Sequence, residues 1–210
     1  MARTKAFDEH LDLYEEWFTQ FRAVFESEVA ALAQVIRPDR RSVEIGVGSG
    51  LFAQALGIGE GVEPSSAMAA RARERGITVE TGVAEALPYD DQQFDLALMV
   101  TAICFVDDPK LTGQEMFRVV KPGGRVVMGF VDQASPLGEV YEQFKDQNVF
   151  YRDATFYTAT DVVECLESTG FQILSIRQTV FGMLEEISHV QPVRPGHGDG
   201  GFVVVEALRA

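Results

Sequence analysis

The sequence predicts an α/β domain: a doubly wound, mostly parallel sheet of seven strands with an antiparallel last strand, beneath an N-terminal helical lid. Three observations predict it. From residue 42 onward, short apolar runs alternate with segments of helical period. The first run enters a turn with glycine at alternate positions, Gly46, Gly48 and Gly50. The last two runs have no helical segment between them, so they can pair antiparallel at one edge of the sheet.

The elements follow in order. Phe7, Leu11, Tyr14, Phe18, Phe21, Phe25, Val29, Leu32 and Ile36 recur at three- and four-residue steps, an apolar stripe of one or two helices ended by Pro38. SVEI (42–45) is a strand, followed by the glycine turn and a helix through Leu56. GEGVE (59–63) is the second strand, and Ser65 caps a helix over 66–75 that Gly76 closes. ITVETG (77–82) and the buried run FDLALMV (94–100) are the third and fourth strands. Pro109 opens a helix through Val120, which the PGG at 122–124 breaks before RVVMGFV (125–131). Ser135-Pro136 starts a helix through about Asn148, and Thr160 caps VVECLEST, which Gly170 ends. FQILSIRQTV (171–180) and GFVVVEAL (201–208) are the last two strands.

The 210 residues suit one domain over 1–210, with 1–38 as helical lid and 39–210 as core. No apolar run approaches the roughly 20 residues that span a bilayer, and the N-terminus lacks a signal-peptide pattern, so a cytoplasmic location and no membrane partner are expected. A net charge of −14 without a basic cluster disfavours nucleic acid, whose phosphates are bound through Lys and Arg, and favours a small molecule. Cys104 and Cys165 lack metal-ligand spacing, so no metal site is expected and both read as small apolar side chains. Oligomeric state is not readable.

Ligands of such sheets sit beyond the C-terminal strand ends, where the strand order switches. Glycine there permits positive φ and close approach of backbone to ligand. The register is GxGxG, with Leu51 where a dinucleotide fingerprint needs its third glycine. Glu44, two residues before Gly46, favours a ligand with a cationic amino group over a pyrophosphate. Glu63, at the tip of the second strand, can accept both hydroxyls of a ribose. Ala84 and Glu85, in the turn after the third strand, offer a backbone N–H and a carboxylate to an adenine edge.

These segments together resemble the class I S-adenosylmethionine-dependent methyltransferases, in particular the small-molecule branch with a PGG turn. VEIGVGSG is similar to their first motif, GVEPS to the ribose-binding strand end, GVAEALPYDDQQFD to the adenine-side motif and FRVVKPGGRVVMG to the helix, turn and fifth strand. The resemblance covers residues 40–130 well and the remainder more loosely. It implies a Rossmann-like methyltransferase fold, S-adenosyl-L-methionine as cofactor and a small-molecule methyl acceptor. It places Gly46, Gly48 and Gly50 against the methionyl part, Glu44 near the amino-acid group, Glu63 on the ribose, Pro64 and Ser65 along the adenine, Ala84 and Glu85 at its edge, and Thr101 beside the methionyl moiety, with Cys104 at the cleft mouth. The strand end VTAICFV lacks the histidine pair of many relatives, and no Asn/Asp-Pro-Pro-aromatic signature is present, which removes support for methylation of adenine or a glutamine amide.

Two regions are expected to shape the acceptor pocket. Tyr14, Trp17 and Phe18 read as an aromatic lid over the donor, with cation–π attraction to a sulfonium. The segment 189–201 carries His189, Arg194 and His197; His189, His197 and Tyr14 are the candidate acid–base groups, and Arg194 a candidate anion-binding group. A donor-binding regulatory protein without turnover and an NAD-dependent oxidoreductase are the competing readings, the latter opposed by Leu51 and the PGG turn.

Overall fold

The computed structural model describes residues 4–37 and 40–210; Pro38, expected to end the first helical segment, lies outside them. The N-terminal stripe forms three helices, α1 (Lys5–Glu9), α2 (Leu11–Gln20) and α3 (Arg22–Ala33). The sheet-forming part runs β1 (Ser42–Ile45), α4 (Leu51–Leu56), β2 (Glu60–Val62), α5 (Ser66–Glu74), β3 (Thr78–Glu80), β4 (Phe94–Val100), α6 (Pro109–Val119), β5 (Val120–Val131), α7 (Pro136–Phe144), α8 (Ala159–Ser168), β6 (Phe171–Thr179), β7 (Arg194–Pro195) and β8 (Phe202–Arg209).

The sheet order is β3-β2-β1-β4-β5-β8-β6-β7. β1 to β5 are parallel, and β8 pairs antiparallel with both β5 and β6. The antiparallel pairing of the last two long strands is present, but β8 is interior rather than at the edge. An eighth, two-residue strand comes from the segment expected to be loop: β7 pairs with β6 at Gln178 and Arg177. Two boundaries also move. β5 begins at Val120, so PGG lies within it as an irregularity in its pairing with β4, because Gly123 takes φ +76° without ending the strand. The last helix is capped by Thr158, not Thr160: its hydroxyl accepts from Asp161 N–H while Asp161 accepts from Thr158 N–H, a reciprocal capping box.

Strand alternation feeds two cores. Leu96, Leu98 and Val100 of β4 face the layer holding α3, α4 and α5, while Ala97 and Met99 face the layer of α6 and α8. β8 does the same with Phe202 and Val204 against Val203, Val205 and Ala207. Both faces are covered, which is why these strands are continuously apolar. α3 buries Val24, Ala31 and Leu32 in the first core, whereas α1 and α2 bury no residue fully and lie over the strand ends. A third small cluster joins Cys104 to Ala154 and Phe156; Cys165 is only half-buried.

Candidate functional site

β1 lies between β2 and β4, so the strand order switches at its C-terminal end. There the chain turns through Gly46 (φ +71°) and Gly48 (φ +55°). A Cβ on Gly46 would stand 2.6 Å from the Ala102 methyl, a distance no side chain tolerates. Gly48 faces the other way, toward the Tyr14 hydroxyl, where a Cβ would be 3.4 Å from the oxygen. Gly50 has a packing role: its missing Cβ makes room for Ile77 and Ala72.

Glu63 follows β2 directly. Its Oε2 accepts from Gly48 N–H at 2.9 Å and its Oε1 from Ser65 N–H at 2.8 Å, so one carboxylate ties the glycine turn to the start of α5. Burial pushes the Glu63 carboxyl up, against the pull of those two N–H groups. Two of a carboxylate's roughly four acceptor positions remain. Thr101, just past β4, sits at φ +51°, a strained conformation for a β-branched residue, held by its N–H on Gly129 O at 2.7 Å.

A cavity of about 1040 Å³ opens above these strand ends. Gly46, Gly48, Glu63, Pro64, Ala84 and Thr101 line it, as do Tyr14, Trp17 and Glu85. The Glu85 carboxylate is also engaged below the wall, accepting from Asp107 N–H at 2.6 Å. Tyr14 is held protonated by burial and by the charges of Glu44 and Glu63.

Seven expected residues do not reach the cavity wall. Glu44 lies in β1, 1% exposed; burial first, then the Glu63 charge, drives its pKa well up. Ser65 is buried as the cap of α5, accepting from Met68 N–H at 3.2 Å and donating to Asp8 at 2.7 Å. Cys104 turns into the third cluster, its Sγ–H on Thr101 O at 3.2 Å. His189 and His197 are exposed, because their segment folds back on the protein: Gln191 N–H reaches Ser27 Oγ at 2.8 Å, and Gly200 N–H reaches Gln178 Oε1 at 2.7 Å. His197 stands 3.8 Å from Asp132, and Arg194 lies over the Phe181 ring at 4.2 Å. Gly50 is the last, packed as above against Ile77 and Ala72. Leu184 and Glu185 are what the β6–β8 connection brings to the cavity.

α1 and α2 are anchored on α5. Asp8 accepts from Ser65 Oγ–H and from Ala67 N–H at 3.2 Å; these bonds outweigh burial and hold its carboxyl below the usual range. Glu15 pairs with Arg71 and Arg75, both at 2.8 Å. Phe7 then packs edge-on against Tyr14 and Phe105 at 5.9 and 5.1 Å, and lies 5.3 Å from Phe150.

Sequence reasoning missed the other end of the cavity. Glu28 of α3 lines it, 5% exposed, with Tyr141 of α7 and Tyr151. Burial raises the Glu28 carboxyl to about 8. The signal was present: Val24, Glu28 and Leu32 are spaced by four, a carboxylate on the buried face of the helix. Among the described residues, no group of three or more His, Cys, Asp or Glu is placed to hold a metal ion, and no helix is long and apolar enough to cross a membrane.

A family model described as a methyltransferase domain matches residues 43–128. A crystal structure from Thermotoga maritima, described as an SAM-dependent methyltransferase and possible histamine N-methyltransferase, is 42% identical, covers 99% of this chain and 100% of its own, and superposes with a TM-score of 0.96. An uncharacterized protein of Methanocaldococcus jannaschii is 39% identical over 96% of this chain and 97% of its own length. A chain from a complex with the Haloferax volcanii Trm112 methyltransferase activator, 17% identical over 100% of this chain and 98% of its own, shares the fold with a TM-score of 0.74.

Proposed function

This chain belongs to the S-adenosylmethionine-dependent methyltransferases, and from that premise we propose that it methylates a small-molecule acceptor seated in the aromatic end of the cavity. The carrying observation is one continuous space of about 1040 Å³ with two unlike ends. Ligand pockets run from about 300 to 1,000 Å³, so a space at the top of that range leaves room for a small acceptor beside the donor. Glu63 follows β2 and Val131 ends β5; three strand spacings separate β2 from β5, about 14 Å.

On this reading Gly48 gives the donor's methionyl part close access to backbone, the free acceptor positions of Glu63 take the ribose hydroxyls, and Pro64, Ala84 and Glu85 line the adenine. Gly46 and Thr101 shape the floor. Glu44, Gly50, Ser65 and Cys104 support that wall from behind. When bound, S-adenosylmethionine supplies a methyl group already activated on a sulfonium. The protein's task is then to hold the two reactants in line and exclude water, effects worth roughly 7–11 kcal/mol in favourable cases. α1 and α2, with Tyr14 and Trp17 facing inward, serve as the lid that does so, and α3 belongs to the core beneath. The description of the Thermotoga maritima protein as a possible histamine N-methyltransferase supports an acceptor of this size. No observation favours a binder without turnover or an NAD-dependent enzyme.

Calorimetric titration with S-adenosylmethionine and S-adenosylhomocysteine, with NADH as control, tests the donor reading. Micromolar binding of the first two alone is expected. A folded protein that binds neither contradicts it.

A further inference from the structure

Rims and walls of the cavity carry an unbalanced charge. Among the described residues, seven carboxylates line it against one cation, Lys145, which is paired with Glu142 at 2.8 Å. An anionic acceptor would meet no free cation there among the described residues. Most of these carboxylates are at the rim or hold backbone N–H groups, as Glu63 and Glu85 do. Glu28 differs. It is 5% exposed, opens onto the cavity, and has no hydrogen bond or ion pair among the described residues. The titratable groups that feel its charge are tyrosines from three directions: Tyr14 of α2, Tyr141 of α7 and Tyr151. None is a cation. Tyr141 and Tyr151 meet at 5.2 Å, and with Trp17 they line the same cavity as the Glu28 carboxyl.

A buried, unpaired carboxylate is costly unless a partner arrives. Aromatic faces attract cations. We propose that Glu28 is the acceptor-recognition residue and that the acceptor is a small primary or secondary amine, bound as its ammonium between Glu28 and the Trp17–Tyr141–Tyr151 wall. This rests on the methyltransferase reading above. The ammonium gives one proton to the Glu28 carboxylate. The amine lone pair then forms the N–C bond to the transferable methyl as the C–S bond breaks, with those electrons staying on sulfur. The product leaves as a methylated ammonium, and the proton on Glu28 passes to water. The raised carboxyl of Glu28 fits this role, since it titrates near the working pH.

The test uses the full chain saturated with S-adenosylhomocysteine. Benzylamine, 2-phenylethylamine and 3-phenylpropylamine are titrated beside 2-phenylethanol and 3-phenylpropanoate, in buffers of different ionisation enthalpy at pH 7. At least one amine is expected to bind about ten-fold more tightly than the alcohol or the carboxylate, releasing close to one proton per amine bound. Glu28→Gln is expected to lose that preference and the proton release while keeping S-adenosylhomocysteine affinity, which also reports that it is folded. Amines that bind no better than 2-phenylethanol, or a Glu28→Gln variant that binds them equally with the same proton release, overturn the proposal. Failure of S-adenosylhomocysteine itself to bind would instead strike the methyltransferase reading.

Discussion

Glu63 and Glu28 are both carboxylates buried against one cavity, 8% and 5% exposed, yet Glu63 takes two backbone N–H groups and Glu28 takes none. The first closes a corner built from backbone: a glycine turn, a strand tip and a helix start. The second stands in a wall built from side chains of α2, α3, α7 and the segment around Tyr151. A corner whose polar groups are already satisfied is preorganised and serves one unchanging ligand. A wall that leaves a buried carboxyl unanswered lets the ligand complete it, and such a wall can be re-specified by a few substitutions. In the account proposed here, the donor uses the corner and the acceptor the wall.

The largest effect expected is at the corner. Gly46→Val adds a β-branched side chain at φ +71° and forces overlap with Ala102. Left-handed strain and overpacking each cost about 1–3 kcal/mol. A fall in Tm by several degrees and loss of S-adenosylmethionine binding should appear in thermal unfolding and titration. Retention of both would remove the steric argument for the turn.

The wall is expected to show itself through pH. Folded Glu28 has a carboxyl raised to about 8 from an ordinary value near 4.5, because burial disfavours its charge. The folded chain keeps a proton that the unfolded chain loses in between, so this group's contribution to stability is complete below 4.5 and is lost as pH rises to 8. Glu28→Gln removes that loss. In urea unfolding without ligand, the variant should match wild type near pH 5 and exceed it by a few kcal/mol above pH 8. A difference that does not change with pH would mean that Glu28 is paired in solution.

A smaller effect is expected where the lid meets the corner. Asp8→Ala removes the acceptor for Ser65 Oγ–H and Ala67 N–H but leaves the Glu15–Arg75 pair. Exposed contacts of this kind are worth about 0.2–1 kcal/mol. Donor affinity should fall only two- to five-fold by titration; a hundred-fold loss would make the lid, not the corner, the main donor contact.

The comparison also explains what was legible in the sequence. The corner is a continuous backbone feature, so Gly46, Gly48, Glu63 and Ala84 could be read from strand–turn spacing, and the parallel strands from their apolar runs. Places where tertiary contacts decide were not legible. β8 inserts beside β5 because both its faces are apolar, a choice that local patterning does not make. The segment with His189 and His197 reads as a loop at the ligand end, yet hydrogen bonds to Ser27 and Gln178 draw it away. The wall gathers Glu28, Tyr141 and Tyr151 from places more than a hundred residues apart, and only the buried-face spacing of Glu28 hinted at it.

The division between corner and wall is tested most directly by one paired titration of S-adenosylhomocysteine into Glu63→Ala and Glu28→Gln. Charged hydrogen bonds are worth roughly 1.5–3 kcal/mol each. The account predicts about a hundred-fold weaker donor binding in Glu63→Ala, which loses the ribose-facing carboxylate and frees Gly48, and wild-type binding in Glu28→Gln. Equal weakening in both, or weakening only in Glu28→Gln, would contradict it.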